Sequence, residues 1–353
     1  MNLTTRSDAI GDHPLVRWPS AAPILVLVAL SPVLAELLMG VTRLTNLWLL
    51  VPEMGVYGVG VLIIREVVRR RRRGWGMILL LGIAFAVAEE CVILQTSFTP
   101  QFFPPAFSAN FGWAFGVQWI YLLAMLWYES VYAIVLPLYL TELLFPARRD
   151  ELWLDRRGLV GAAIVFVLSS IGVWWLWSHV GLQRYGESTY RIPLVNVGTA
   201  LVVIAVLVSS VLLFRPPHWP VHRHTRRAWP PSLVGLMAFG HGLLWFVLIA
   251  LAFLPATLFP GASPLLPIVI GLIWVGLALL SVRYLSATRG WEDRHRLALI
   301  FGATLASMLG GVLTILTASP TDQIGKLVFD LIAVVAFLYL TRQVRRRRPI
   351  LTK

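Results

Sequence analysis

Charge is scarce in this chain. Asp, Glu, Lys and Arg make up 13% of its 353 residues, about half of the ~25% that a soluble domain carries. So few charges cannot keep a surface of that size in water, which excludes a soluble globular enzyme and a disordered tail. Cysteine is nearly absent: Cys91 stands alone, so neither a disulfide framework nor a Cys-based zinc site is available. Lysine occurs twice against 28 arginines, a preference that points to a GC-rich bacterial genome. No loop is long enough to hold a soluble domain. What fills the chain instead is apolar, with 58% hydrophobic residues and a mean hydropathy of +0.77. The composition is that of an integral membrane protein, in a bacterial source one of the cytoplasmic membrane. The net charge of +13 would suit nucleic acid, but the arginines lie between apolar runs, and no nucleic-acid partner is expected.

A bilayer core ~30 Å thick needs about 20 mostly apolar residues per helical span. Ten such runs lie near 21–40, 47–64, 75–97, 114–145, 158–178, 194–214, 231–254, 264–284, 297–317 and 324–341. Backbone polar groups in lipid must be satisfied within the segment, so the runs are helices, and the fold class is an all-α polytopic bundle. The second run is short; the fourth is long and carries Pro137, which predicts a kink or tilt. Basic residues set the direction. With the N-terminus cytoplasmic, twenty-six of the thirty Lys and Arg fall in inner segments, and only Arg43, Arg184, Arg191 and Lys326 fall outside. Both termini are therefore expected in the cytoplasm, as a tail over 1–20 and a basic tail over 343–353 around a membrane domain over 21–342. The Arg69–Arg73 run fixes topology and is expected to touch anionic lipid headgroups.

An ionisable residue inside the hydrocarbon is costly, and by default it marks function. The set is Glu36, Glu53, Glu89, Glu90, Glu129, Glu142, His241 and Asp330. Asp330 follows Lys326 by four residues, which an ion pair explains. Most of the others share one depth, between the midplane and the outer face. The sequence Ser31-Pro32-Val33-Leu34-Ala35-Glu36 predicts an interrupted helix near a polar site. In the fourth span Gln118, Tyr121, Met125, Tyr128, Glu129, Tyr132, Tyr139 and Glu142 recur at spacings of three and four, which predicts one stripe facing the bundle. Glu89 and Glu90 are adjacent, about 100° apart on a helix, and two close carboxylates in low dielectric cannot both ionise cheaply. His241 sits between Gly240 and Gly242, small residues that allow close approach. These readings predict one cavity holding Glu89 or Glu90, Glu129 and His241, walled by Tyr128 and Tyr132 and bordered by Glu36, with the imidazole held as a cation. The loop 215–230 has three histidines (His218, His222, His224) but no carboxylate or thiol partner, and the aromatic, proline-rich loop 98–113 suits the membrane interface. No repeat relates the two halves.

The run Ala88-Glu89-Glu90-Cys91-Val92-Ile93-Leu94 resembles the first motif of the CAAX-processing and bacteriocin-processing (CPBP) intramembrane proteases, and Met237-Ala238-Phe239-Gly240-His241 resembles their second. Leu94 stands where that family has an arginine. The resemblance implies an intramembrane peptidase in which Glu89 or Glu90 is the general base and His241 holds an oxyanion or a divalent metal such as zinc. The residues read alone are equally compatible with a proton-coupled permease, in which Glu129, Tyr128, Tyr132 and Glu36 bind substrate or relay protons, or with a membrane scaffold subunit.

Overall fold

The computed structural model of the chain describes residues 21–72, 74–100, 111–182, 193–213, 224–253, 261 and 263–346. The fold is an all-α polytopic bundle. Helix α1 spans Ala22–Leu37, and nine longer helices follow among the described residues: α2 Leu44–Arg70, α3 Trp75–Ile93, α4 Trp119–Leu144, α5 Arg156–Gly181, α6 Leu194–Leu213, α7 Pro231–Ala252, α8 Leu265–Ser286, α9 Asp293–Ile315 and α10 Pro320–Arg346. All nine are long and apolar enough to cross a membrane. Each expected run is thus a helix. Residues 1–20, 101–110 and 347–353, with them both chain ends and much of the proline-rich loop, lie outside the described residues, as do His218 and His222.

Helix starts follow local chemistry. The Asp155 side chain accepts a hydrogen bond from Gly158 N at 2.6 Å and caps α5; Gln118 accepts from Ile120 N and Tyr121 N and caps α4; Glu292 and His295 form a reciprocal box at the start of α9. A short antiparallel hairpin, β1 Trp113–Ala114 and β2 Val117–Gln118, precedes α4.

The second span is longer than the apolar run suggests. It continues through Arg65 and Glu66, both fully buried, because the two side chains satisfy one another and the loop beyond α4. Arg65 donates to Glu66 at 2.9 Å and to the carbonyls of Arg149 and Glu151 at 2.8 and 3.1 Å. Its guanidinium lies 3.3 Å over the Trp153 ring. Arg69 bonds Glu142 at 2.5 Å, and Arg149 holds Asp293 of α9 at 2.9 Å. The ends of α2 and α4 and the start of α9 therefore meet at one arginine-rich end. The opposite end joins the starts of α2 and α10, where Thr45 N donates to Asp322 at 3.0 Å, and the starts of α4 and α6, where Asn196 donates to the Phe115 carbonyl at 3.0 Å.

Helices α1 to α4 and α9 form the interior. Helix α5 buries none of its residues between Arg156 and Leu176, and α8 buries only Ala278 and Leu285. These outer helices present Leu168, Ile171, Leu272 and Leu280 to their surroundings, an apolar surface that suits the interior of a membrane. Two crossings are set by absent side chains. A Cβ on Gly58 would stand 2.2 Å from the Val28 carbonyl oxygen of α1, and one on Gly302 would stand 2.1 Å from that of Gly235 on α7. Lipid tails are as apolar as leucine, so such close backbone packing is a main source of helix association in a membrane.

Candidate functional site: a carboxylate centre on four π-helical segments

A π segment is an α-helix carrying one extra residue, with i→i+5 bonds that re-aim the side chains around it. Five occur among the described helices, and four of them carry or adjoin the candidate acids. Glu36 lies in Val33–Leu37 of α1, the interruption expected after Pro32. Tyr57 lies in Met54–Gly58, directly after Glu53. Glu89 and Glu90 open Glu89–Ile93 at the end of α3, where Leu94 N bonds the Glu89 carbonyl at 2.8 Å. Glu129 opens Glu129–Val135 of α4, a seven-residue segment that ends just before Pro137. Proline lacks an N–H, and the fourth span accommodates it by this change of helical pitch.

These segments bring the carboxylates together in the arginine-poor half of the bundle. One oxygen from each of Glu89, Glu90 and Glu129 lies within 4.8 Å of the others, and all three side chains are buried. Glu36 faces the same space, against Tyr57 and within electrostatic reach of Glu53 and Glu90. The Tyr57 hydroxyl donates to Glu89 Oε1 at 2.8 Å. Tyr121 donates to Glu90 Oε1 at 3.3 Å, and Thr96 donates to Glu90 Oε2. Carboxylates this close in a buried site repel one another when both are ionised, so the cluster favours holding a proton or another cation. Glu53 takes a hydrogen bond from Thr42 at 2.5 Å. Buried oxygens remain without a partner, among them Oε2 of Glu89, of Glu129 and of Glu53.

No Arg, Lys or His among the described residues forms an ion pair with any of these five acids. The contrast with the arginine-rich end is sharp. There, Glu66 and Glu142 are just as buried but each faces two guanidinium groups. The centre must therefore be neutralised by protons or by an external cation. Its donors are carboxylate oxygens only, a set that suits a hard divalent ion such as Mg²⁺, Ca²⁺ or Mn²⁺ and lacks the nitrogen or sulfur ligands that dominate zinc sites.

His241 is placed elsewhere. It lines a cavity of about 280 Å³ among α4, α7, α8 and α9, and none of the acids of the centre lines that cavity. Its ring meets Trp274 at 4.7 Å, and its Nδ1 is buried without a hydrogen-bond partner. Between the two sites stands an aromatic wall: Tyr128 stacks on Tyr132 at 4.8 Å, and both meet Phe246 at 6.2 Å. The expectation of one shared cavity, with a histidine cation beside the acids, is thus corrected to two sites on different faces of α4. The π segment is the physical reason. Glu129 and Tyr121 turn to the carboxylates, Tyr132 and Tyr139 turn to the His241 cavity, Tyr128 donates to the Ala35 carbonyl, and Gln118 is spent on the helix cap. The stripe does face the bundle as expected, since Tyr128, Glu129 and Tyr132 are buried. Gly242 acts as foreseen: a Cβ there would meet that of Ala306 at 2.6 Å. Glu142 belongs to the arginine network, and Lys326 pairs with Asp330. Arg69 and Arg70, read as lipid-facing, hold Glu142, Glu66 and the Leu154 carbonyl.

Sequence reasoning missed Tyr57, Thr42, Thr96 and Glu66. Tyr57 follows Glu53 by four residues and shares its helix face, a signal that was available. Thr96 was not legible, because it reaches Glu90 only after the chain reverses through Gln95, whose φ is +58°. No protein-family model, no curated protein and no solved structure matches this chain.

Proposed function

We propose that this polytopic membrane protein is a proton-coupled carrier, in which Glu89, Glu90 and Glu129 are the groups that exchange the proton and Glu36, Tyr57 and Tyr121 relay or hold it. One observation carries the reading: a buried three-carboxylate centre with no basic partner among the described residues, at a depth where an unpaired charge costs several kcal/mol. Such a centre is stable only while it holds a cation, and the proton is the cation that suits its tyrosine and threonine hydroxyl partners. Four π segments converging on it provide helices whose pitch can change by one residue during exchange. The basic-residue distribution supports a position of the centre toward the outer side, in our reading, of a bacterial cytoplasmic membrane.

A second reading, the intramembrane peptidase, rests on the Glu89-Glu90 motif and on the capacity of the same three acids to hold a hard divalent ion. That ion would supply Lewis-acid activation of water, while Tyr121 would orient the water and Glu90 would accept its proton. This reading loses His241 as a partner and needs its metal to be bound tightly.

One experiment separates the two. Infrared spectra of the purified protein at neutral pH should show the C=O stretch of protonated carboxyl groups, diminished in Glu89→Gln and Glu129→Gln, with no stoichiometric metal by elemental analysis. Absence of that band together with one bound divalent ion per chain would overturn the carrier reading and favour the peptidase.

A further inference from the structure

The cavity that holds His241 has its own chemistry. Its walls are aromatic: Trp127, Tyr132 and Tyr139 from α4 and Trp274 from α8, with Trp75 and Trp291 toward the arginine-rich end. Among the described residues no acid lines it, and its one arginine or lysine is Arg296, at the first turn of α9. Arg296 and Ala303 line it seven residues apart on α9, about 10 Å of axial depth. The site is thus an apolar slot running inward from a single positive mouth.

The charge at that mouth is not cancelled. Asp293 is shared, at 2.9 Å by Arg149 and at 3.3 Å by Arg296. Two guanidinium groups against one carboxylate leave one positive charge for a ligand. The volume of about 280 Å³ sits at the lower end of the ~300–1,000 Å³ of small-molecule pockets, enough for one chain or one ring and too little for a two-chain lipid.

We infer that this cavity is a binding site for a single-tailed anionic amphiphile, of which a medium-chain fatty carboxylate is the simplest member, with its head at Arg296 and its tail against Trp127, Trp274 and Tyr132. An apolar tail replaces the bilayer contacts of the aromatic walls, and a carboxylate head gains charge-assisted hydrogen bonds from a planar guanidinium. The inference does not depend on proton exchange at the carboxylate centre, from which the aromatic wall separates it.

The lining tryptophans provide the assay. Full-length protein in phosphatidylcholine nanodiscs is titrated with terminally brominated dodecanoic acid, whose bromine quenches indole fluorescence on contact. Parallel titrations use the brominated dodecanol and a brominated phosphatidylglycerol. Saturable quenching by the acid is expected. Its apparent affinity should fall about tenfold or more in Arg296→Gln, the loss of a charged hydrogen bond, and saturable quenching should vanish in Ala278→Phe, which fills the slot. The alcohol should bind the wild type as weakly as the acid binds Arg296→Gln. Arg296 is partly exposed and its Gln variant leaves the slot intact, so the test stands even if Ala278→Phe does not fold. Quenching that rises linearly with mole fraction, equally for acid, alcohol and phosphatidylglycerol and in both variants, would mean that bilayer lipid alone fills the slot and would overturn the inference.

Discussion

Glutamine placed at Glu142 and at Glu129, two buried acids on one helix, is expected to have opposite consequences. At Glu142 the carboxylate meets Arg69 at 2.5 Å and Arg65 at 3.5 Å, with the acid 3% and Arg65 1% exposed. Removing one partner of a buried pair costs ~3–5 kcal/mol, because the other charge is left without compensation. Arg65 keeps Glu66 and its carbonyl partners, and Arg69 is partly exposed, so the lower end, about 3 kcal/mol, applies. At Glu129 there is no cationic partner to lose, Oε2 has no hydrogen bond, and glutamine matches the volume. The substitution also removes a group that must otherwise hold a cation, so its effect should stay within about 1 kcal/mol and lean toward stabilisation.

Thermal unfolding in detergent, followed by tryptophan fluorescence, reads the difference. With an unfolding entropy of ~2.1 cal/mol/K per residue, 3 kcal/mol corresponds to a drop of roughly 4 °C in Tm for a chain of this length. Glu142→Gln should show that drop, and Glu129→Gln should show none or a small rise. If Glu129→Gln falls as far as Glu142→Gln, the carboxylate centre contains a compensating positive charge, and the argument that it is neutralised by exchangeable protons fails.

Two further outcomes follow from particular positions. Gly302→Ala should lower Tm by several degrees, since its Cβ would overlap the Gly235 carbonyl, whereas Gly276→Ala, with nothing within 4 Å of the added methyl, should be neutral or stabilising; equal effects would show that α7 and α9 do not cross there. In a Cys91→Ser background, Phe115→Cys, at a position that is 93% exposed on the β1–β2 turn, should react with an impermeant maleimide on intact cells, and Glu151→Cys only after permeabilisation; the reverse pattern would invert the topology.

The helical runs were legible, nine of them as helices long enough to cross a membrane and the first as the shorter Ala22–Leu37, because they depend on summed hydropathy, which tertiary contacts do not alter. The end of α2 was not, because Arg65 and Glu66 read as a polar boundary until the loop after α4 supplies their partners: Trp153 N donates to Glu66 at 3.0 Å from a point far along the chain. Long-range satisfaction of this kind leaves no trace in a local window.

The candidate site was half legible for a sharper reason. Cost alone identifies Glu36, Glu53, Glu89, Glu90 and Glu129, since a buried acid needs an explanation wherever it occurs. Grouping residues by a 3.6 period then assumes that the helix keeps one pitch. In α4 it does not. The Glu129–Val135 segment inserts one residue, about 100° of rotation, between the face that carries Tyr121 and Glu129 and the face that carries Tyr132 and Tyr139. A uniform period merges these two faces, and with them draws His241 to the carboxylates. The interruptions in α1 to α4 have no single sequence mark: three lie beside a proline, Pro32, Pro52 or Pro137, and Glu89–Ile93 has none nearby. What they share is position, since each occurs where a carboxylate or its tyrosine partner must turn away from lipid toward the same interior point. The constraint that selects them is the burial of the acids themselves, and it exists only once four helices are packed together.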